Sequence, residues 1–340
     1  MRKDTWQIAL LFSAGSLGTA YLNGYEWLRF FSLYGSWGTI GIVLTGAGLA
    51  WFTCSMLHRC LKNGWDSLHD LFVHLIGSKL GPSFSVVTHL VLLAYLGTSM
   101  GQQAVRYGSD RFAVLLLLVT CLSAFWLARR GINQIMKALL ICGVLGVFLI
   151  GMIVTEQRHV PIPSLLYQRN GWWFISALSY LSLHVLLCLT LLLPLVSRGL
   201  SLPALRWGLG IGSLLFFTVT MLGHFILLAY WHDINSSHQP LRDILTALLP
   251  VAAPIQAVVS LGHGCAVLAA LLYGLSVPVT LRYELRLTPL LLVKMLACAL
   301  FGTLSFWVGS MHLVAYTAST YCGLLLVAMY GWASFKARPA

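Results

Sequence analysis

Apolar runs of about 20 residues, parted by short polar stretches, fill this 340-residue chain almost from end to end. A bilayer core about 30 Å thick is crossed by roughly 20 helical residues at 1.5 Å each, so the pattern predicts transmembrane helices. Ten runs qualify, near residues 6–33, 36–58, 84–107, 112–128, 132–155, 172–197, 205–231, 246–277, 288–308 and 311–334. No stretch between them is long or polar enough for a soluble domain, which leaves one transmembrane domain over 1–340 and an all-α polytopic fold. In the connection after the second run, Trp65, Leu68, Leu71, Phe72 and Leu75 recur at helical spacing opposite Asp66, Asp70 and Lys79. This predicts an amphipathic interfacial helix at about 65–76 lying on the inner surface. The connections at 156–171 and 232–242 carry Pro161, Pro163 and Pro240 among polar residues and read as exposed outer loops.

The first run departs from the pattern. Between two apolar segments it passes through Gly15-Ser16-Leu17-Gly18-Thr19-Ala20-Tyr21-Leu22-Asn23-Gly24, poor in residues that hold a helix. Counted by helical rise from Trp6, Gly15 and Gly18 fall near mid-membrane. Two readings fit. The glycines let neighbouring helices approach closely, or the helix breaks there and its freed peptide groups line a polar cavity, as in secondary transporters. Ten runs divide into five and five, 6–155 and 172–334, and an odd number per half makes the second half enter from the opposite side. That is the arithmetic of an inverted repeat. The sixth run should then match the first, and it carries Ser176, Ser179, Tyr180, Ser182 and His184 at mid-depth, followed by Pro194. It lacks a glycine pair that would mark a full break.

Composition sharpens this picture. The chain is 59% hydrophobic and 9% charged, which excludes an ordinary soluble protein, and the +12 formal charge is largely a topology signal. With the amino terminus inside, only Arg29, Arg106, Arg111, Arg158, Arg169 and Arg242 of the 21 basic residues face outward. The expected location is a bacterial inner membrane, multi-pass, with both termini cytoplasmic and the first helix retained. The 8 cysteines lie mostly inside apolar runs without CxxC spacing and read as packing residues, not disulfides or metal ligands.

The string GSLGTAYLNGYEWLRFF at residues 15–31, followed by Tyr34-Gly35-Ser36-Trp37-Gly38, resembles the opening signature of the YkvI-type bacterial membrane proteins. Gly15, Gly18, Gly24, Glu26, Phe30 and Phe31 keep the family pattern; Thr19, Ala20, Tyr21, Leu22, Asn23 and Tyr25 depart from it. SALSYLSLHVLLCLTLLLPL, residues 176–195, is similar to the family's sixth span, with His184 where asparagine is usual. Tyr316 and Tyr321-Cys322-Gly323 also fit. The resemblance implies a LeuT-like architecture in the amino acid, polyamine and organocation transporter superfamily. Spans one, two, six and seven would form a moving bundle against a scaffold of three, four, eight and nine.

Candidate chemistry follows from polar residues at membrane depth, which are costly there. Amides around Gly15, Ser16, Gly18, Thr19 and Ala20 would bind an anionic group of the solute, with Tyr21, Asn23, Tyr180 and His184 completing the pocket. Thr98 and Gln102 of the third span would line its wall, in a polar stretch that also holds Ser99, Gly101 and Gln103. For coupling or gating the candidates are Glu26, His184 and His263. Glu26 either neutralises a cationic solute or accepts a coupling proton, or, lying about 30 Å from Trp6 by helical rise, it pairs with Arg29 at the outer interface. Proton coupling is favoured over sodium, because the eighth span offers Ser260 and Ser276 but no adjacent hydroxyl pair for a hard cation. His184, His224, His263 and His312 also admit a haem-binding redox subunit, though no CxxCH is present. Enzyme motifs are absent, and no catalytic residue, metal, cofactor or nucleic-acid partner is expected. The predicted partners are a small-molecule solute, the lipid bilayer and protons. The reading is a carrier of a small polar solute, an amino acid or related metabolite; a non-transporting sensor of the same fold is the alternative.

Overall fold

The computed structural model describes residues 3–19, 21–108, 110–157 and 170–336, and its regular elements there are all helical. In chain order they are α1 (Lys3–Leu17), α2 (Tyr25–Phe30), α3 (Ser36–Asn63), α4 (Leu68–Ile76), α5 (Gly81–Tyr107), α6 (Asp110–Arg129) and α7 (Ile132–Gln157). They continue with α8 (Trp173–Leu192), α9 (Leu202–Ala229), α10 (Trp231–Ile234), α11 (Pro240–Leu248), α12 (Ala252–Tyr283), α13 (Leu287–Trp307) and α14 (Met311–Lys336). Among the described residues 9 helices are long and apolar enough to cross a membrane: α3, α5–α9 and α12–α14. Their outward faces are apolar, as Leu115, Leu118 and Leu122 of α6, Ile141, Val144 and Phe148 of α7, and Val293, Leu296 and Leu300 of α13 show. A polytopic membrane protein presents such faces to lipid.

The first run is interrupted, as one of its two readings has it. α1 spans only 15 residues and ends at Leu17; Gly18 then takes φ +76°. A single 3-10 turn at Tyr21–Asn23 follows, Gly24 takes φ +78°, and α2 starts afresh at Tyr25. Both glycines occupy the left-handed region that other residues enter only at a cost. Asn23 helps restart the helix, its Oδ1 accepting the Tyr25 amide at 2.8 Å. Gly15 and Ser16 stay helical, so the break begins later than the sequence suggested. Gly15 is reserved for close packing, since a Cβ there would lie 3.0 Å from Cys188 Cα.

The helices sort into two packed groups. α1 and α3 both lie against α8 and α9, while α5 and α6 lie against α13, and α12 lies against α6. α7 packs on α12, and α14 bridges α8 and α5. At the centre, α8 is buried without interruption from Tyr180 through the 3-10 segment to Val196. It does not break at His184; regular α-helix persists to Leu192 and gives way at Pro194. Between α5 and α13 the backbones nearly touch: a Cβ on Gly101 would sit 2.6 Å from both the Gly302 carbonyl and Ser305 Oγ. Gly101→Ala should therefore overpack this seam and cost roughly 1–3 kcal/mol. The check is a lower melting midpoint of the detergent-solubilised protein, with Gly143→Ala, where a Cβ meets nothing within 4 Å, as the control.

Short helices close the two ends of α12. α4 is capped by Ser67, whose Oγ accepts the Asp70 amide at 3.2 Å. Asp70 in turn pairs with Arg282 in the last turn of α12. Burial, with Asp70 nearby, lifts the Asp66 carboxyl above the ordinary carboxylate range. At the other end, the stretch expected as an exposed outer loop folds into α10 and α11, because Trp231, Ile234, Leu241, Ile244 and Leu245 have core to bury against. The eighth run accordingly starts later than expected, at Ala252, and continues through Pro278 to Tyr283.

Candidate functional site

The break leaves α1's last carbonyls without helical partners, and buried polar groups of this kind must be satisfied somewhere. Side chains from three other helices do so. The Gly15 carbonyl accepts His184 Nδ1–H at 2.7 Å, and the Ser16 carbonyl accepts the Tyr180 hydroxyl at 2.8 Å, both from α8. The Thr19 carbonyl accepts Gln103 Nε2 of α5 at 3.1 Å, and the Leu22 carbonyl accepts Gln256 Nε2 of α12 at 2.7 Å. Thr19 Oγ1 also shares a hydrogen bond of 2.7 Å with Ser99 Oγ. Carbonyls already taken by amide, phenol and imidazole donors are poor ligands for a hard cation, which wants several free oxygens.

Glu26, reckoned by helical rise to sit at the outer boundary, lies instead beside the break. A Cβ on Gly18 would be 3.4 Å from Glu26 Oε2 and 3.2 Å from His184 Cε1. Glu26 Oε2 stands 3.9 Å from His184 Nε2, and both atoms are buried without a hydrogen-bond partner. The rise argument assumed a straight helix, and the two left-handed glycines fold the chain back. The expected Glu26–Arg29 pair does not form among the described residues: Arg29 Nη1 reaches the Tyr25 hydroxyl at 3.3 Å instead.

Above Glu26 opens a cavity of about 500 Å³ between α2, α5, α8 and α14. Its polar wall holds Asn23, Glu26, Arg29, Ser99, Gln102, Arg106, Ser179, Ser182 and His312, and its apolar wall Phe30, Ile175, Leu178, Leu313, Tyr316 and Leu324. A file of rings leads from it to the break. Tyr316 stacks on Phe30 at 5.7 Å, Phe30 meets Tyr180 at 5.6 Å, and Tyr180 lies flat on His184 at 3.9 Å.

Of the expected solute-binding residues, Asn23 and Gln102 line the cavity, while Gly18, Tyr180 and His184 lie next to Glu26 or along the ring file. Gly15, Ser16 and Thr19 supply the capped carbonyls; Ala20 lies outside the described residues. Thr98 stands one layer back, bonded to Ala94 and Tyr95 carbonyls and 3.3 Å from His312 Nδ1. Tyr21 is turned away, because the 3-10 turn rotates its ring against Gly146 of α7 and edge-on to His263 at 4.6 Å. His263 is buried with neither ring nitrogen hydrogen-bonded. His224 is fully engaged by Ser32 and Thr39 at 2.9 and 3.1 Å. Sequence reasoning missed Arg29, Arg106, Phe30, His312 and Tyr316 as wall residues; Phe30 and Tyr316 carried a signal in the family resemblance and His312 as a histidine at membrane depth, whereas the two arginines read as charges at outer helix ends.

No family model matches the chain. It is 22% identical over 252 residues to the uncharacterized membrane protein YkvI of Bacillus subtilis (strain 168), covering 70% of each. Its backbone superposes on the crystal structure of MhsT in complex with L-phenylalanine with a TM-score of 0.66 at 14% identity. That match spans 98% of this chain and 89% of the other. The chain therefore resembles YkvI and has the LeuT fold.

Proposed function

We propose that this LeuT-fold membrane protein is a secondary transporter that carries a small polar solute, an amino acid or related metabolite, by alternating access. The observation that carries the reading is the unwound segment between Gly18 and Gly24, placed beside a cavity whose one acid, Glu26, has a buried oxygen without a hydrogen bond. Irregular backbone inside a bundle of this kind is kept where a solute passes. That MhsT was crystallised with L-phenylalanine supports an amino acid as the cargo class.

Counting α1 and α2 as one interrupted span gives ten, in two halves of five. The packing pairs then mirror each other under a shift of five spans: α1 on α9 answers α8 on α3, α5 on α13 answers α12 on α6, and α7 on α12 answers α14 on α5. This supports an inverted repeat, with α1, α3, α8 and α9 rocking against α5, α6, α12 and α13. In this topology both termini and α4 are cytoplasmic, as the basic residues indicate, and the Asp70–Arg282 pair ties α4 to the inner end of the scaffold.

Coupling to protons is assigned to Glu26 with His184. A carboxylate and an imidazole nitrogen 3.9 Å apart, each lacking a partner, differ by one proton between a paired and an unpaired state. His263, also unpartnered on the far side of the break, is the next station. The experiment is uptake of radiolabelled amino acids into proteoliposomes under an imposed pH gradient. Saturable accumulation is the expected result; saturable binding without any flux would make the protein a sensor.

A further inference from the structure

Two guanidinium groups stand in the cavity wall, and among the described residues neither touches a carboxylate. Arg106 of α5 places its Cζ 5.2 Å over the Tyr25 ring, and Arg29 Nη1 reaches the hydroxyl of the same tyrosine. Among the described residues the only ion pairs are Glu26–His184 and Asp70–Arg282, so neither arginine is in salt-bridge contact with a carboxylate, although Glu26 acts on Arg106 from further off. The cavity has one acid, Glu26, against both arginines. Their positions are held. Tyr25 is anchored through its amide to Asn23, and the Arg106 carbonyl accepts Gln239 Nε2 at 3.0 Å and Arg242 Nη1 at 3.2 Å. Two like charges brought to one ring repel each other unless an anion joins them. Guanidinium is also the group that grips a carboxylate through two parallel hydrogen bonds.

We propose that the cavity selects solutes bearing a carboxylate, received between Arg29 and Arg106, and rejects organic cations. The inference rests on the carrier reading for where the solute goes next, but it concerns what the cavity binds. It moves recognition of the anionic group from the backbone of the break, whose carbonyls are already capped, to the arginine pair. A net positive wall also draws anions to the mouth and repels amines.

The test is a thermal-shift panel on detergent-solubilised protein with the L-amino acids, each matched with its decarboxylated amine and its deaminated acid. Amino acids, and deaminated acids among the same side chains, are expected to raise the midpoint, and the amines are not. Arg106→Gln should raise the half-saturating concentration about thirtyfold, the loss of one partner of a largely desolvated charge pair converted at tenfold per 1.4 kcal/mol, and Arg29→Gln, at the exposed side of the cavity, about threefold to fivefold. Arg106→Lys, which keeps the charge and loses the fork, should fall between. Arg29 is exposed on α2, so its variant carries the test if Arg106→Gln does not fold. Stabilisation by amines, full affinity in both glutamine variants, or no shift with any member of the panel would each overturn the inference. Amine uptake in proteoliposomes would overturn it while leaving the carrier reading intact; carboxylate binding without flux would do the reverse.

Discussion

Gly18→Leu abolishes solute uptake while the protein still inserts and elutes as a single species. At φ +76° a leucine is strained whatever space surrounds it, at a cost of roughly 1–3 kcal/mol. Space is also lacking, because the first carbon of the side chain would already lie 3.2 Å from His184 and 3.4 Å from Glu26. The larger side chain must displace Glu26 and His184. The helices that fold the protein are untouched, since α1 ends one residue earlier. The measurement is initial uptake rate in proteoliposomes beside size-exclusion behaviour and melting midpoint. Gly46→Leu in α3 is the comparison: a Cβ there makes ordinary contact with Phe216, 3.5 Å away, and the site lies outside the cavity. Wild-type uptake by Gly18→Leu would remove the break from the transport path.

Glu26→Gln separates coupling from movement. Glutamine keeps the shape of the side chain and cannot exchange a proton, so exchange of labelled for unlabelled solute should continue near the normal rate. Accumulation driven by a pH gradient should disappear, because a carrier that takes no proton with its cargo only equilibrates it. His184→Gln should weaken accumulation in the same direction, although its Nδ1 bond to the Gly15 carbonyl makes part of its role structural. Neighbouring titratable groups, His312 and Tyr316 across the cavity, remain in both variants. Retained accumulation in Glu26→Gln would assign the proton elsewhere, with His263 next in line, or to another driving ion.

The all-helical membrane architecture was legible because each apolar run is long enough to demand a partner for its backbone in lipid; of the ten runs expected, nine coincide with helices long and apolar enough to cross among the described residues. The break was legible only as one of two readings: of the glycines marked at mid-membrane, Gly15 stays helical for close packing, while Gly18, with Gly24 further on, takes the left-handed conformation that interrupts the helix. What escaped was direction. Residues 98–103 read as one polar wall, yet successive residues turn about 100° on a helix. Ser99 and Gln102 face the cavity, Thr98 supports His312, and Gln103 caps the break. Tyr21 was misplaced because a 3-10 turn does not keep the helical phase, and Glu26 because its depth was counted along a rod that does not exist. Arg29 and Arg106 looked like topology markers at helix ends, and nothing in the linear pattern says that two outer ends converge on Tyr25.

The four capped carbonyls also locate a mechanical boundary. Gly15 and Ser16 are fastened to α8, which packs against α1, whereas Thr19 and Leu22 are fastened to α5 and α12. If the two sides swing relative to one another, the anchored stretches are carried apart and the twist must be absorbed between them, at Leu17 and Gly18. Such a swing would confine its pivot to one or two peptide units, where Gly18, the residue type with the widest torsional freedom, stands.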